Sequence, residues 1–491
     1  MLPRIFLMCL LVAGLAAVAT PAHASTAPDD KLDPELRSTL QATGGADFWI
    51  RFDDRPDLSR AGQVVDWTAR GAAVVDRLRE TAEASQASVR EVLDAAGQSY
   101  RAFFVTNAIY VHDGSPALAA QLAADPEVHA LYQPTEYQRI EPTPAQATQQ
   151  QLQSLAWGIE NIRANQVWDT FGVRGEGITV ATIDSGVQYD HPALVNQYRG
   201  NVGDGSFSHD YNWFDATGAC PAAPCDPDGH GTHVTGTMVG DDGGTNQIGV
   251  APAANWIATN GCCPSDEALI ASGEWLLAPT DLAGENPDPS KRPHIVNNSW
   301  GTIVPSNDPF MEDVLEAWAA AGIFAMWSNG NNGPGCETSG SPGSRVVAYS
   351  AGAYDSSNLI AGFSSRGPGQ DGQTKPSIAA PGVAVRSSLP GDRYGNFNGT
   401  SMASPHVAGT VALLWSAAPG LVGDPEATIE LLDLSAVDTE DLRCGGTADD
   451  NNVYGEGRLD ALGLLQIAPI TGIGTLAGTV VDSAGDPVVG A

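Results

Sequence analysis

The chain has 491 residues, with 58 acidic against 24 basic side chains and a formal charge of −34 at pH 7. Such acidity argues against nucleic acid or an anionic membrane as partner, because both need a basic face. The 42% apolar content is ordinary for a globular protein and the length allows a large core, spread over roughly two to four domains.

The first segment stands outside the fold. "MLPRIFLMCLLVAGLAAVATPAHAS" joins Arg4, an apolar run and Ala22-His23-Ala24, the pattern of a secretory signal cut before Ser25. Residues 1–24 are therefore assigned to a signal peptide, and the protein is expected to be secreted. The run is short for a membrane span and no later stretch is long and apolar enough, so no membrane partner is expected. Cys9 leaves with the signal. The remaining Cys220, Cys225, Cys262, Cys263, Cys336 and Cys444 are even in number, which in an exported chain predicts disulfides. Cys220 and Cys225 bracket Pro-Ala-Ala-Pro and are expected to clip one loop. Cys262 and Cys263 are adjacent; a vicinal bond is one option, but pairing with Cys336 or Cys444 is the preferred reading. No Cys-x-x-Cys pair lies near a suitable histidine pair, which counts against a metal site at the cysteines.

Residues 25–45 are polar and loosely patterned. "ADFWIRF" (46–52) predicts a strand and is followed by an Ala-, Arg- and Glu-rich helix over about 61–97. "YRAFFVTNAIYVH" (100–112) predicts one or two strands, Ser115 caps a further helix, and "YQRI" (137–140) is read as the closing strand. This β-α-β-(β)-α-β order fits a small ferredoxin-like α+β domain. "EPTPAQATQQQLQS" (141–154) reads as an exposed linker.

The block from 155 to 467 changes character. "GITVATIDSG", "ANWIATN", "HIVNNSWG", "GIFAMWSNGN" and "RVVAYSAGAY" are near-continuous apolar runs, as expected of strands buried on both faces. "DEALIASGEWLLA" and "FMEDVLEAWAAAG" are helical patterns between them. The alternation predicts an α/β domain with a mostly parallel sheet, whose working residues sit at the C-terminal ends of strands. The tail, 474–491, shows strand alternation and a Gly-Asp-Pro turn; it reads as the truncated start of a β-sandwich within 468–491.

Three polar clusters interrupt the apolar pattern: "ATIDSGV" with Asp184, "DGHGTHVTGTMVG" with His230, and "GTSMASPHVAGTVALLW" with Ser401. A hydroxyl is a weak nucleophile until a base takes its proton; histidine does so near neutral pH, and a carboxylate fixes its tautomer and stabilises the imidazolium. Taken singly, each cluster is an ordinary turn or cap. Together, in the order Asp, His, Ser, they supply all three roles.

"IDSGV", "HGTHVTGT" and "GTSMASPHVAG" resemble the three signatures of the subtilisin-like serine proteases, the peptidase S8 family. The resemblance covers about 160–467, and "WGIENIRANQVW", "TNQIGVAP", "GEWLLAP" and "VNNSWG" look most like the bacillopeptidase F branch. It implies a three-layer subtilisin-like fold and a secreted endopeptidase acting on proteins or peptides through an acyl-enzyme, as a monomer and with no cofactor in the chemistry. Asp184, His230 and Ser401 match the triad, and His233 falls on a helical position after it. Asn331 takes the oxyanion-donor position, with the backbone N–H of Ser401 as second donor; Asn329 and Asn332 are read as turn residues. Ser299, Trp300 and Gly301, with Ser328, Asn329 and Gly330, match the two edge segments that hold an extended substrate. Gly340 falls at the floor of the primary pocket, so a medium-to-large apolar side chain is expected there, with Trp300 able to narrow the cleft.

By the same resemblance, residues 25–142 are an inhibitory propeptide that templates folding and fills the cleft with its C-terminal strand until cut within about 141–155, and the tail resembles a carboxypeptidase-regulatory-like sandwich. One departure stands out. The family's strongest calcium site takes a carboxylate where this chain has Ala193, and its loop keeps Asp241, Asp242 and Asn246 at a different spacing, which counts against calcium there. His191 and His209 are read as solvated loop residues. Within the last motif, Ser404 has no base and Pro405 falls in the first helical turn or so. His406 is a packed residue needing one partner, and Val407, Val411 and Leu414 form the apolar stripe. Two other readings remain: an inactive homologue used as a binding module, and an esterase or amidase for small substrates.

Overall fold

The computed structural model describes residues 30–470, apart from Glu136, 140–142 and 145–154. The signal peptide, most of the linker and the predicted sandwich strands lie outside the described residues.

The front domain opens with α1 (Pro34–Thr43), whose first turn is held by Asp33 Oδ1 accepting from the amides of Glu35 and Leu36. Then come β1 (Ala46–Phe52), α2 (Ser59–Gly62), α3 (Trp67–Ser85), α4 (Ala87–Ala96), β2 (Tyr100–Phe103), β3 (Ala108–Gly114), α5 (Pro116–Ala123) and β4 (Val128–Tyr132). The single helix expected over 61–97 is thus three. Asp66 starts α3 by accepting from the Ala69 amide, and Gln86 interrupts the run because its side chain turns inward to Phe103 O and Asn107 Oδ1. The sheet is antiparallel in the order β2-β3-β1-β4. Its closing strand is β4, not 137–140: Val128 and Leu131 are buried against Phe48 and Ile50 and complete this small core.

The chain continues through β5 (Gln138–Arg139), β6 (Thr143–Pro144), α6 (Trp157–Asn161), α7 (Ala164–Phe171), β7 (Thr179–Asp184), β8 (Trp213–Asp215), α8 (His230–Val239), β9 (Asn255–Asn260) and α9 (Asp266–Leu277). Next are β10 (Ile295–Asn298), β11 (Trp300–Gly301), α10 (Glu312–Ala320), β12 (Phe324–Ser328), β13 (Tyr349–Tyr354) and β14 (Ile378–Pro381). The hairpin of β15 (Val385–Leu389) and β16 (Arg393–Asn398) leads into α11 (Thr400–Ala417), α12 (Pro425–Ser435) and α13 (Ala461–Ile467). The seven-stranded sheet runs β14-β13-β12-β10-β7-β9-β8 with every pair parallel. From β7 the chain first fills one side of the sheet and then the other, so the crevice at the end of β7 is the switch point where such sheets carry their sites.

Strand residues alternate between two cores. Val180, Trp256 and Ile295 face a cluster that includes Val407, Val411 and Leu414 of α11, the stripe expected from sequence. Ala181, Ile257 and Val296 face α9 and α10, and that cluster runs on into the front domain through Trp49, Val74, Val75, Leu78 and Tyr110. The front domain is thereby joined to the sheet domain by a shared apolar core. The three disulfides are Cys220–Cys225, Cys262–Cys263 and Cys336–Cys444. The loop clip is as expected. The other pairing corrects the preferred reading: Cys262 and Cys263 bond to each other, while Cys336 and Cys444 meet with their Cα atoms 5.4 Å apart.

Candidate active site

Asp184 is the last residue of β7 and His230 the first of α8; both side chains are buried. Asp184 Oδ1 lies 2.8 Å from His230 Nδ1 and also accepts from the Ser185 amide. An ionised carboxylate only accepts, so Nδ1 carries the proton and Nε2 is left as the basic nitrogen. Glycines make this approach possible. Gly229 starts α8 at φ +105°, and a Cβ on Gly231 would lie 2.1 Å from the Gly186 carbonyl.

Asp226 was not singled out by the sequence, where "CDPDGHG" reads as a turn. Its buried carboxylate accepts from Ser185 Oγ (2.9 Å), the Gly229 amide (2.8 Å), and the Thr232 amide and hydroxyl (2.8 and 2.6 Å). It braces the loop that delivers His230 to Asp184. Burial pushes its pKa up, against the pull of these donors.

Ser401 is the second residue of α11. Its hydroxyl donates to Ser299 O at 3.2 Å. Among the described residues His230 Nε2 has no hydrogen-bond partner, so the structure joins Asp184 to His230 but does not show a bond from His230 to Ser401. Pro405 lies deeper than the first turn, and its missing N–H has a consequence. It is the Ser401 carbonyl that would have received it, and that carbonyl instead accepts from Ser299 Oγ at 3.0 Å. Ser299 Oγ accepts from Asn297 Nδ2 (2.9 Å), and Asn297 Oδ1 accepts from Ser404 Oγ (2.5 Å). Ser404 thus has a structural role in holding the start of the helix. His406 has the one partner expected of it, Met402 O at 2.7 Å from Nδ1.

Asn331 follows β12 and is half-buried. Its Oδ1 accepts from the amide and hydroxyl of Thr400, the residue before Ser401, at 3.0 and 2.9 Å. With the amide oxygen so held, Nδ2 is the group turned towards the Gly399–Ser401 corner: it comes within 3.2 Å of where a Gly399 Cβ would be. Asn329 is fully buried and bonded to Ser365 O and Ser350 Oγ, and the Asn332 amide donates to Ser365 Oγ, so both behave as the loop residues expected. The Gly330 amide donates to Thr400 Oγ1 at 3.2 Å. Ser328 ends β12, and Gly340 is buried facing Thr302, whose backbone and hydroxyl oxygens lie 3.0 Å from where a Cβ would be. The Trp300 indole is fully buried with the front segment in place: it meets Trp327 edge-on at 4.8 Å and the Tyr137 ring of that segment edge-on at 6.0 Å.

That edge is occupied. β5 pairs antiparallel with β11, placing Arg139 opposite Trp300 and Gln138 opposite Gly301. A few residues on, β6 pairs with β16, placing Thr143 opposite Asn398 and Pro144 opposite Phe397. The front segment therefore lies across both edges that flank the start of α11.

Three further histidines of the sheet domain have hydrogen-bond partners away from the Asp184–His230 pair. His191, expected to be solvated, is fully buried with Nε2 3.1 Å from Arg393 O and Nδ1 accepting from the Ala193 amide; a partner over two hundred residues away was invisible in the sequence. His209 is half-buried, bonded to Tyr198 Oη at 2.8 Å. His233 is buried between Val385 O and Gly395 O, and burial lowers its pKa to about 3. At the loop with Asp241, Asp242 and Asn246, the Asp242 carboxylate is engaged by the amides of Gly244 and Asn246, and Arg386 donates to Asn246 Oδ1 at 3.2 Å. A guanidinium beside these oxygens, with Ala193 in place of a carboxylate, is a poor fit for calcium.

Carboxyls of the sheet domain grip the front domain. Glu274 Oε2 accepts from the amides of Phe104 and Val105 (2.7 and 3.1 Å), and Asp266 Oδ2 from Trp49 Nε1 and the Thr135 amide (2.9 and 2.8 Å). Asp313 pairs with Arg51 and Arg55. Burial pushes Glu274 up to about 7 and Asp266 and Asp313 up to about 6. In the other direction, Arg292 of the sheet domain lies 3.6 Å over the Trp67 ring and donates to Trp67 O.

A seven-stranded parallel sheet with an Asp–His pair at its switch point, under a helix that starts with Gly-Thr-Ser, is the architecture of the subtilisin-like serine endopeptidases. The chain belongs to that family: the Subtilase family pattern matches residues 175–457. It is 34% identical over 490 residues to Bacillopeptidase F of Bacillus subtilis (strain 168), a match covering 92% of this chain and 33% of that protein, so the chain spans about a third of that relative's length. It is also 34% identical over 264 residues to Subtilisin Savinase of Lederbergia lenta, covering 53% of this chain and 84% of that one. Among solved structures, fervidolysin from Fervidobacterium pennivorans, described as a keratinolytic enzyme related to subtilisin, superposes with a TM-score of 0.61 at 20% identity, covering 87% of this chain and 61% of that chain. At that identity the likeness speaks for the fold alone. Among the described residues, no helix is long and apolar enough to cross a membrane.

Proposed function

We propose that the protein is a secreted serine endopeptidase made as a self-processing zymogen. Ser401 Oγ attacks the scissile carbonyl, His230 Nε2 takes the proton and returns it to the leaving amine, and Asp184 holds the ring and stabilises its charged form. Asn331 Nδ2 and the Ser401 amide receive the oxyanion, helped by the positive end of α11. The observation that carries this reading is the pairing of Gln138–Arg139 with Trp300–Gly301 and of Thr143–Pro144 with Phe397–Asn398. Backbone pairing on both sides of a nucleophile suits a long peptide and is superfluous for a small ester. Residues 25–142, with their ferredoxin-like sheet, act as the inhibitory propeptide, and the segment that ends them stands where a substrate strand would lie. The mature enzyme is a monomer acting on proteins or peptides, and no calcium is held at the Asp241–Asn246 loop, where Arg386 supplies the positive charge.

Casein hydrolysis by the full-length protein, compared with Ser401→Ala, tests this. The wild type is expected to shorten and to digest casein, and the variant to keep its front domain and digest nothing. An inert wild type would favour a binding module, and cleavage of small esters without casein would favour an esterase.

A further inference from the structure

Tyr137 belongs to the front segment, yet its side chain is only 3% exposed and sits inside the sheet domain. Its ring stacks on Phe310 (centroids 4.6 Å apart, planes at 27°) and stands edge-on to Trp300 (6.0 Å, 89°). Its hydroxyl donates to Asp308 Oδ1 at 3.2 Å. The seat is built without Tyr137. Asp308 Oδ1 also accepts from the Phe310 amide at 2.8 Å, the Asp308 amide donates to Ser306 Oγ, and the Asp308 carbonyl accepts from Ser341 Oγ. The carboxylate oxygen is therefore aimed at the pocket by its own loop, between β11 and α10. Tyr137 reaches it because the next residue, Gln138, is opposite Gly301 in the strand pairing. Any peptide paired on that edge in the same register delivers a side chain to the same place.

We propose that Asp308, beside Phe310 and Trp300, is a specificity-determining residue of the mature enzyme: at the substrate position before the residue paired with Gly301, it makes the enzyme prefer tyrosine to phenylalanine. This rests on the protease reading above, with the front segment standing in for substrate. The rings supply apolar and stacking contact that either aromatic residue satisfies. The carboxylate supplies the discrimination: tyrosine gives half-buried Asp308 Oδ1 a second, charge-assisted hydrogen bond beside that of the Phe310 amide, whereas phenylalanine sets an apolar ring edge against it. A site built to bond a substrate hydroxyl rejects the analogue lacking it more strongly than an apolar pocket rejects a change in size.

The test is a cleavage profile. Processed enzyme, obtained from the full-length chain, is given a proteome-derived peptide library, and the cut sites are mapped by mass spectrometry. Tyrosine is expected to exceed phenylalanine by about tenfold or more at one fixed position N-terminal to the cut, the scale of a hydrogen bond to a charged acceptor. Asp308→Ala is expected to bring the two aromatics to parity while keeping the aromatic preference, and Phe310→Ala to weaken both. Cleavage with no tyrosine excess at any fixed position would overturn the pocket and leave Tyr137 as a docking contact of the front domain only. An unchanged excess in Asp308→Ala would also overturn it. No cleavage of the library by the wild type would instead overturn the protease reading. If a variant fails to mature, the wild-type profile still decides.

Discussion

Replacing Glu274 by glutamine is expected to tighten the hold on the front domain far more at alkaline pH than in acid. Glu274 is half-buried where α9 meets the turn after β2, and both front-domain amides converge on one oxygen, Oε2. A proton on Oε1 preserves both bonds, and so does the glutamine amide. What differs is the charge. Burial, only partly offset by Arg101 and Arg79, raises the docked carboxyl from its ordinary 4.5 to about 7. With the ordinary 4.5 taken for the carboxyl once the front domain has left, the docked pKa is the higher of the two, so the favourable contribution is complete below about pH 4.5 and is lost as pH rises through about 7. Such a rise corresponds to about 3 kcal/mol, or up to roughly a hundredfold in docking. Asp266 and Asp313, both raised to about 6, add to the same trend but are spent by neutral pH. The assay is inhibition of the mature enzyme by added residues 25–142, with wild-type and Glu274→Gln enzymes compared at pH 5 and pH 8. The ratio of the two inhibition constants is expected to be no more than about fourfold at pH 5 and tenfold to a hundredfold at pH 8. An equal ratio at both values, or weaker inhibition of the variant at pH 8, would refute the reasoning.

Three further outcomes are expected. Asn331→Ala should lower kcat by about 10²–10³ with little change in KM, a scale taken from the loss of such a donor in a subtilisin rather than from the distances here; an equal rise in KM would show a binding role instead. Asp226→Ala leaves Ser185 Oγ and the Gly229 and Thr232 donors without their acceptor, at a cost of about 3–5 kcal/mol by analogy with a broken buried charge network, read as a fall in Tm together with lower activity. Finally, Tm should not change when a chelator replaces calcium in the buffer; a drop of several degrees would place a structural cation in this chain after all.

The motifs around Asp184, His230 and Ser401 are legible because each combines a reactive side chain with glycines that only close backbone approach explains, as at Gly231. The parallel sheet is legible from apolar runs too continuous for half-exposed strands. What escapes depends on partners far along the chain. Asp226 looks like any loop aspartate until Ser185 and Thr232 fold around it. His191 looks solvated until Arg393 arrives. Trp300 is legible as an edge residue from its motif, but its contact with Tyr137, 163 positions earlier, is not. In the front domain, "YQRI" has strand character but spends it on another domain's edge, an allocation that alternation of residues cannot specify. The cysteine pairing is misread for a simpler reason: adjacency counts as an obstacle in sequence, and the approach of Cys336 to Cys444 across 108 positions has no local signature.

The Cys336–Cys444 bond divides the machinery unevenly. Gly340 and Ser401 lie inside the covalent ring it closes, while Asp184 and His230 lie outside it and Asn331 stands five positions before its edge. An oxidised chain that melts therefore still holds positions 336 and 444 together, so the segment carrying Gly340 and Ser401 refolds from a closed loop. Closing a ring of this size restricts the melted ensemble by about 4.7 kcal/mol on the chain-entropy account, which a thiol-reducing compartment withholds. The protein's stability against heat is thereby coupled to the redox state of its surroundings, greater where disulfides persist than in a cytosol-like milieu.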